Sequence, residues 1–495
     1  MLTAAVVLLI AWGALAFGSV YPWAYTPLLI GSALTGGIAL WMRRQRRVPQ
    51  STRIALLALV VVMAAGALQV VPLPPSVLET LSPNTDAFLE NHDLGYVFGP
   101  VEDPSNLDTT AESSNWHPLS LAPRRTWIAL GFLASLTLLL AGLTMALSRR
   151  STRRLAASIV VFGVVLALIG IVQKAALGDH AWVGMKIYGF WQPTHLLSTP
   201  FGPFVNKNHF AGWMMMGLPL ALGVALGLAE KGMRSGGDWR STLLWLSSPQ
   251  GGRLQMTLLA MIIMAASLLM TKSRSGLGGL LLVLVIMSIA AGRRFGSARA
   301  GLMAFSSLAA VFAIVFALAG TDLAARLTSR SEAVDLRKNI WSDSATVIGA
   351  FPLAGTGLNT FGTAMTGYQT TQKDQHFQEA HNDYLQVIVE GGLLVAVPAL
   401  IALVLLVRAI RRRFVAAADD TMTHWIRVGA TAGLIAIALQ ALVEFSLQMP
   451  GNAVFAVVLL AMALATGETQ ATEETQKKHS RNTHLVVGGR EVGTS

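Results

Sequence analysis

Long apolar runs separated by short polar breaks recur along nearly the whole chain. About 20 apolar residues suffice to cross the hydrocarbon core of a bilayer as a helix. Such runs lie near 2–20, 24–42, 53–72, 125–147, 155–173, 209–229, 254–271, 276–292, 300–320, 388–408, 425–447 and 452–467. They predict an all-α, polytopic integral membrane protein of about twelve spans, occupying residues 1–467. Only YPW separates the first two spans, and only the turn around KSRSG separates the seventh and eighth. Three polar segments are long, 73–124, 174–208 and 321–387, the last lying between the ninth and tenth spans. The polar tail, 468–495, is expected to be disordered and cytoplasmic.

Composition agrees with this pattern. Apolar residues make up 53% of the 495 positions and charged ones 13%, about half the share usual in water-soluble domains. There is no cysteine, which excludes disulfides and any cysteine-based metal or nucleophile site. The N-terminal run has neither a positive n-region nor a small-residue cleavage site, so it reads as a first span rather than a signal peptide. No internal repeat is evident.

The formal charge of +11 does not imply nucleic acid, because the cations are clustered between apolar runs. RRQRR (43–47), SRRSTRR (148–154), the 230–253 loop, RRF (293–295) and RAIRRR (408–413) all fall on one side of the alternating topology. By the positive-inside rule that side is cytoplasmic, which places both termini inside and the three long segments outside. The 73–124 loop is fittingly acidic, with Glu79, Asp86, Glu90, Asp93, Glu102, Asp103, Asp108 and Glu112.

Candidate chemistry gathers on the outer side. EAHNDYLQVIVEGG, 379–392, places Glu379, His381, Asp383 and Glu390 at the mouth of an apolar run. Imidazole exchanges a proton near neutral pH and so suits a general base; the bland reading of His381 is a cap or a loop contact. Read as helix from His381 onward, the stretch puts His381, Tyr384 or Leu385, and Ile388 on one face, with Glu390 nine residues after His381. Residues 331–348 have helical periodicity, with Val334, Ile340, Trp341 and Val347 as the apolar stripe, and carry Arg337 and Lys338. In the following FPLAGTGLNTFG, Gly355, Gly357 and Gly362 are expected to bring backbone amides close to a ligand.

Other cations border other spans. MTKSRSGLGG, 270–279, sets Lys272 and Arg274 in a tight outer turn, suited either to lipid headgroups or to a phosphate gripped by guanidinium. FGPFVNKNHFAGW, 201–213, puts Asn206, Lys207, Asn208 and His209 at a span's start, where Asn206 or Asn208 serves as N-cap and Lys207 joins an anion site. Arg124 and Arg125 in PLSLAPRRTW, on the side opposite to the rule, either pair with acidic residues such as Glu102 or add to that site. A divalent ion on Glu379, His381 and Asp383 is the minor alternative; no metal and no cofactor is expected.

FVNKNHFAGW, TKSRSGLGGLLLVLV, LRKNIWSDSATVIGAFPLAGTGLNTFG and AHNDYLQVIVEGGLL, in that order and within about 200–400, resemble the O-antigen ligase and polymerase superfamily of bacterial envelope enzymes. The resemblance implies a metal-independent, inverting glycosyltransferase at the periplasmic face of the inner membrane. Its donor is an undecaprenyl-diphosphate-linked glycan and its acceptor a sugar hydroxyl, on another lipid-linked repeat unit in polymerases or on lipid A–core in ligases. It assigns catalysis to Arg274, Arg337 and His381 and substrate binding to Lys207 and Asn206. Lys272, Arg124, Arg125 and Glu390 join the binding set from the residue reading. Overall similarity before residue 200 favours an O-antigen or exopolysaccharide polymerase, with a chain-length regulator as a further partner; a ligase is the alternative. A flippase or exporter of the same donor is the rival without chemistry. It needs cations deep in the spans, which are nearly charge-free apart from residues such as Glu444.

Overall fold

The structure, a computed structural model, describes residues 1–44, 48–93, 96, 116–177, 186–193, 198–235, 239–295, 332–373, 375–416 and 420–465. In chain order the helices are α1 (Leu2–Leu15), α2 (Pro22–Met42), α3 (Gln50–Leu68), α4 (Pro75–Leu81), α5 (Pro83–His92), α6 (Pro123–Ala146), α7 (Arg149–Leu177) and α8 (Lys207–Ser235). They continue as α9 (Trp239–Leu246), α10 (Pro249–Met270), α11 (Arg274–Phe295), α12 (Glu332–Ala350), α13 (Phe361–Tyr368), α14 (Asp383–Ala416), α15 (Thr421–Gln440) and α16 (Pro450–Leu464). No strand occurs among the described residues, only isolated bridges. The fold is that of an all-helical, polytopic membrane protein.

Nine of these helices, α2, α3, α6, α7, α8, α10, α11, α14 and α15, are long and apolar enough to span a membrane. The expected first and last spans appear as α1 and α16, which are shorter and pack against each other. They meet at Gly13 and Gly451, where a Cβ on Gly451 would sit 2.1 Å from the Gly13 carbonyl oxygen. Such backbone approach is how helices associate where lipid removes the hydrophobic drive. The expected span 300–320 and the tail 468–495 lie outside the described residues.

The most buried of the nine is α8 and the least is α14. α8 packs chiefly on α15, and Trp213, Met214, Met215 and Met216 are sealed in the core with Trp425 and Ile437. On α14 the side chains of Leu393, Val397, Leu400 and Ile401 are exposed, the pattern of a helix facing lipid.

A second, smaller core sits at one end of the bundle. Phe88 from α5, Ile340 and Val347 from α12, and Phe361 and Met365 from α13 share it with Phe351 and Phe377. Asn84 Nδ2 also donates to the Ala350 carbonyl oxygen at 2.8 Å. The described residues of segments 73–124 and 321–387 therefore lie at the same end of the bundle and form one helical cap over it.

Candidate active site

The charged stretch at the mouth of α14 is built around a helix break. Asn382 caps the helix, its Oδ1 accepting the Leu385 amide at 3.0 Å. Helical geometry fails at Gly392, with φ 53° and ψ −162°, a region essentially confined to glycine. A Cβ there would lie 2.4 Å from the Gly355 nitrogen. Backbone groups freed by a break among buried residues need other partners, and the loop 351–360 supplies them. Thr356 and Gly357 amides donate to the Val389 and Glu390 carbonyls at 3.1 and 2.9 Å. Leu393 and Leu394 amides donate to the Pro352 and Leu353 carbonyls at 3.0 and 2.9 Å. Gln69 Nε2 from beyond α3 adds a bond to the Glu390 carbonyl at 2.8 Å. The glycine-rich loop is thus a clamp on α14, and these amides, expected to meet a ligand, are used within the protein.

Glu390 belongs to the same clamp. Its carboxylate accepts the Asn359 amide at 2.7 Å, the Phe361 amide at 3.1 Å and Gln386 Nε2 at 2.9 Å, so it fixes the start of α13. Gln448 Nε2 bridges Gln386 Oε1 at 2.9 Å and Asp383 Oδ1 at 2.8 Å. This chain of side chains ties α14 to the turn that joins α15 and α16.

That turn carries the centre of the site. Glu444 is buried, 2% exposed, and collects three groups from distant parts of the chain. Arg337 of α12 donates to Oε1, Asn208 Nδ2 of α8 donates to the same oxygen at 2.7 Å, and His381 Nδ1 lies 3.6 Å from Oε2. The last distance is longer than a hydrogen bond, so the imidazole faces the carboxylate without a formed bond. Burial alone would raise the Glu444 carboxyl, but the His381 ring and the Arg337 guanidinium outweigh it and hold the group below its usual range. Phe445 stands edge-on between His209 and His381, with ring centroids 4.6 and 4.8 Å away.

His381 itself is not helical. Its φ is +49°, so the single-face reading of His381 with Tyr384 and Ile388 is corrected: the helix begins at Asp383. A left-handed histidine persists only where its surroundings over-determine it. Here Trp341 Nε1 holds the Ala380 carbonyl at 2.9 Å and the Ala380 amide donates to Gln386 at 2.9 Å, with the Asn382 cap on the other side.

His381 and Phe445 line a cavity of about 990 Å³ together with Tyr21, Asn206, His209, Glu379 and Glu390, whereas Arg337, Asn208 and Glu444 are not among its lining residues. Glu379, outside the helices, has its carboxyl raised by burial and eased down by His381. Of the two expected capping candidates, Asn206 is the N-cap of α8, accepting the Asn208 amide at 2.9 Å.

The remaining candidates are placed less centrally. Lys207 opens α8 beside Asn206, its amide bonded to the Thr199 carbonyl at 2.8 Å, but it is not among the residues lining the cavity. Lys272 and Arg274 flank Ser273, which caps α11 through the Gly276 amide at 3.3 Å. Arg274 is exposed, and its neighbour Ser275 reaches the centre through Gln440, whose Nε2 contacts Ser275 Oγ at 3.2 Å and the Asn208 carbonyl at 3.1 Å. Arg124 and Arg125 are exposed in the first turn of α6. The Arg125 carbonyl accepts from Asn359, and Glu102 lies outside the described residues. Among the described residues no group of three His, Asp or Glu is arranged to hold a metal ion, and the Asp383 carboxylate is bonded to Gln448 and the Leu447 amide.

Glu444, Asn208 and Gln440 did not emerge from the sequence as site residues. The available signal was the lone carboxylate near the end of an apolar run, since an ionisable group there is a functional candidate.

The family model described as O-antigen ligase matches residues 259–400, the stretch that holds Arg274, Arg337, His381 and Glu390. Residues 259–400 are similar to an O-antigen ligase domain. The match is consistent with the O-antigen ligase and polymerase superfamily. The match covers less than a third of the chain; Asn206, Lys207, Asn208 and Glu444 fall outside it. No curated protein matches the chain.

Proposed function

We propose that this O-antigen ligase-domain protein transfers an undecaprenyl-diphosphate-linked glycan to an acceptor sugar hydroxyl at the periplasmic face of the inner membrane, polymerising repeat units. The observation that carries the reading is the joining of Asn208, Arg337 and His381 on one buried carboxylate beside a large cavity. With Nδ1 turned to Glu444, Nε2 of His381 is the nitrogen left to take a proton. The acceptor oxygen attacks the anomeric carbon, its proton passes to Nε2, and the bond from that carbon to the diphosphate oxygen breaks. The electron pair leaves with undecaprenyl diphosphate, and a single displacement inverts the anomeric centre. Arg337 and Arg274 stabilise the departing negative charge, the task a metal performs elsewhere. Lys207, Lys272, Arg124 and Arg125 extend the positive rim that draws the donor in.

Ligation to lipid A–core is the second reading, favoured by the description of the family itself. Purified protein in lipid nanodiscs, given lipid-linked repeat units alone, separates the two. A ladder of products on the diphosphate lipid supports polymerisation. Transfer seen only after lipid A–core is added supports ligation, and no transfer with either acceptor returns the exporter reading.

A further inference from the structure

A second cavity, of about 840 Å³, opens between α7, α8, α10 and α15. It lies far from the transfer site: its rim residue Lys231 is 24 positions along α8 from Lys207, about 36 Å at 1.5 Å per residue. The charged side chains lining it, among the described residues, are Arg153, Lys231 and Arg253, and no carboxylate lines it. Arg153 pairs with Asp420, which Arg149 also approaches at 4.0 Å. Nearby Glu230 is engaged by Arg294 and by Trp425 Nε1. Among the described residues the cations at and beside the rim, Arg149, Arg153, Lys231, Arg253 and Arg294, outnumber the carboxylates Asp420 and Glu230.

Away from this rim the wall is apolar. Val161, Val165 and Met256 line it and are themselves exposed, so the groove opens sideways rather than into the bundle. From Arg153 to Val165 is 12 residues of one helix, about 18 Å. That is close to the depth of one leaflet, half of a hydrocarbon core about 30 Å thick. A basic mouth above an apolar trough one leaflet deep has the shape and charge of a phospholipid, and basic pockets between spanning helices are where anionic headgroups bind.

We propose that this groove binds one anionic membrane phospholipid, with its phosphodiester on Arg153, Lys231 and Arg253 and an acyl chain along Val161 and Val165. A structural lipid here would brace α8, the helix whose other end carries Asn206 and Asn208.

Native mass spectrometry of the full detergent-solubilised chain tests it, with dioleoylphosphatidylglycerol and dioleoylphosphatidylcholine as probes. The wild-type protein should hold one phosphatidylglycerol at least tenfold more tightly than phosphatidylcholine. The Lys231→Gln/Arg253→Gln variant should lose that preference, and Met256→Trp, which fills the trough, should weaken both lipids. Equal retention of the two lipids by the wild type, or an unchanged preference in the charge variant, overturns the proposal. So does displacement of phosphatidylglycerol by millimolar inorganic phosphate, which marks a plain anion site. The wild-type comparison needs no variant to fold, and lipid retention is read without any glycan transfer.

Discussion

His381 Nδ1 and Glu444 Oε2 face each other at 3.6 Å while Arg337 and Asn208 occupy the other carboxylate oxygen. In the proposed mechanism this carboxylate offsets the positive charge that appears when Nε2 takes a proton, the role of the acid in catalytic triads. Glu444→Gln keeps the volume and a hydrogen-bonding oxygen but removes the charge. Transfer should fall by about 10²-fold or more through kcat, with little change in KM for the donor.

The same carboxylate gives a pH signature. Its folded value lies below the ordinary 4.5, so its contribution to stability is full above that value and is lost as pH falls through the lower folded one. Thermal stability of wild type and Glu444→Gln, compared from pH 7 down to about pH 3, should converge on acidification. A gap that stays constant across that range removes Glu444 as an ionised hub.

Arg337 should resist replacement by lysine. Loss of the guanidinium in Arg337→Ala leaves Glu444 buried with Asn208 and His381 alone, so stability should drop, by less than the ~3–5 kcal/mol typical of breaking a fully buried pair. Arg337→Lys should recover most of the melting temperature but only part of the transfer rate, because an ammonium cannot grip carboxylate and phosphate with a planar fork. Full recovery of transfer by lysine would reduce Arg337 to a structural ion pair.

Gly392 tests the clamp. Alanine there meets the Gly355 nitrogen at 2.4 Å and the Leu353 oxygen at 2.5 Å and must leave a glycine-only conformation. Gly392→Ala should lower the melting temperature and release loop 351–360 to proteolysis, whereas Gly37→Ala, where a Cβ meets nothing within 4 Å, should be silent.

How far the sequence could be read depended on range. Apolar runs predicted every span that the described residues cover, because period and length are local properties. The helix expected over 331–348 is present as Glu332–Ala350, with Ile340 and Val347 buried as its stripe required. A cap at Asn206 or Asn208 was legible for the same reason, and the structure selects Asn206. The break at Gly392 was not, since LQVIVEGGLLVAV carries one unbroken hydrophobic signal and only the distant loop 351–360 makes the break affordable. Glu444 was visible only as an exception inside an apolar run. Nothing near it in sequence announces Asn208, Arg337 or His381, which lie 236, 107 and 63 positions away.

His381 carries the last prediction. A positioned base contributes about 10²–10⁴ in rate, so His381→Ala should bind the lipid-linked donor but transfer almost none of it. His381→Gln retains an amide that can face Glu444, with only a small penalty because the left-handed backbone at φ +49° suits histidine better than glutamine. A histidine that only props Phe445 and Glu444 should therefore tolerate glutamine, with near-normal melting temperature and transfer. A base should not: the Gln variant should melt like wild type yet transfer like the alanine variant, and a chelator should change neither wild-type rate nor this ranking. Single-turnover transfer in nanodiscs, with donor binding measured separately, reads both quantities. Substantial turnover in a folded Gln variant would move the proton to solvent and leave Arg337 and Arg274 as the groups that drive departure of the diphosphate.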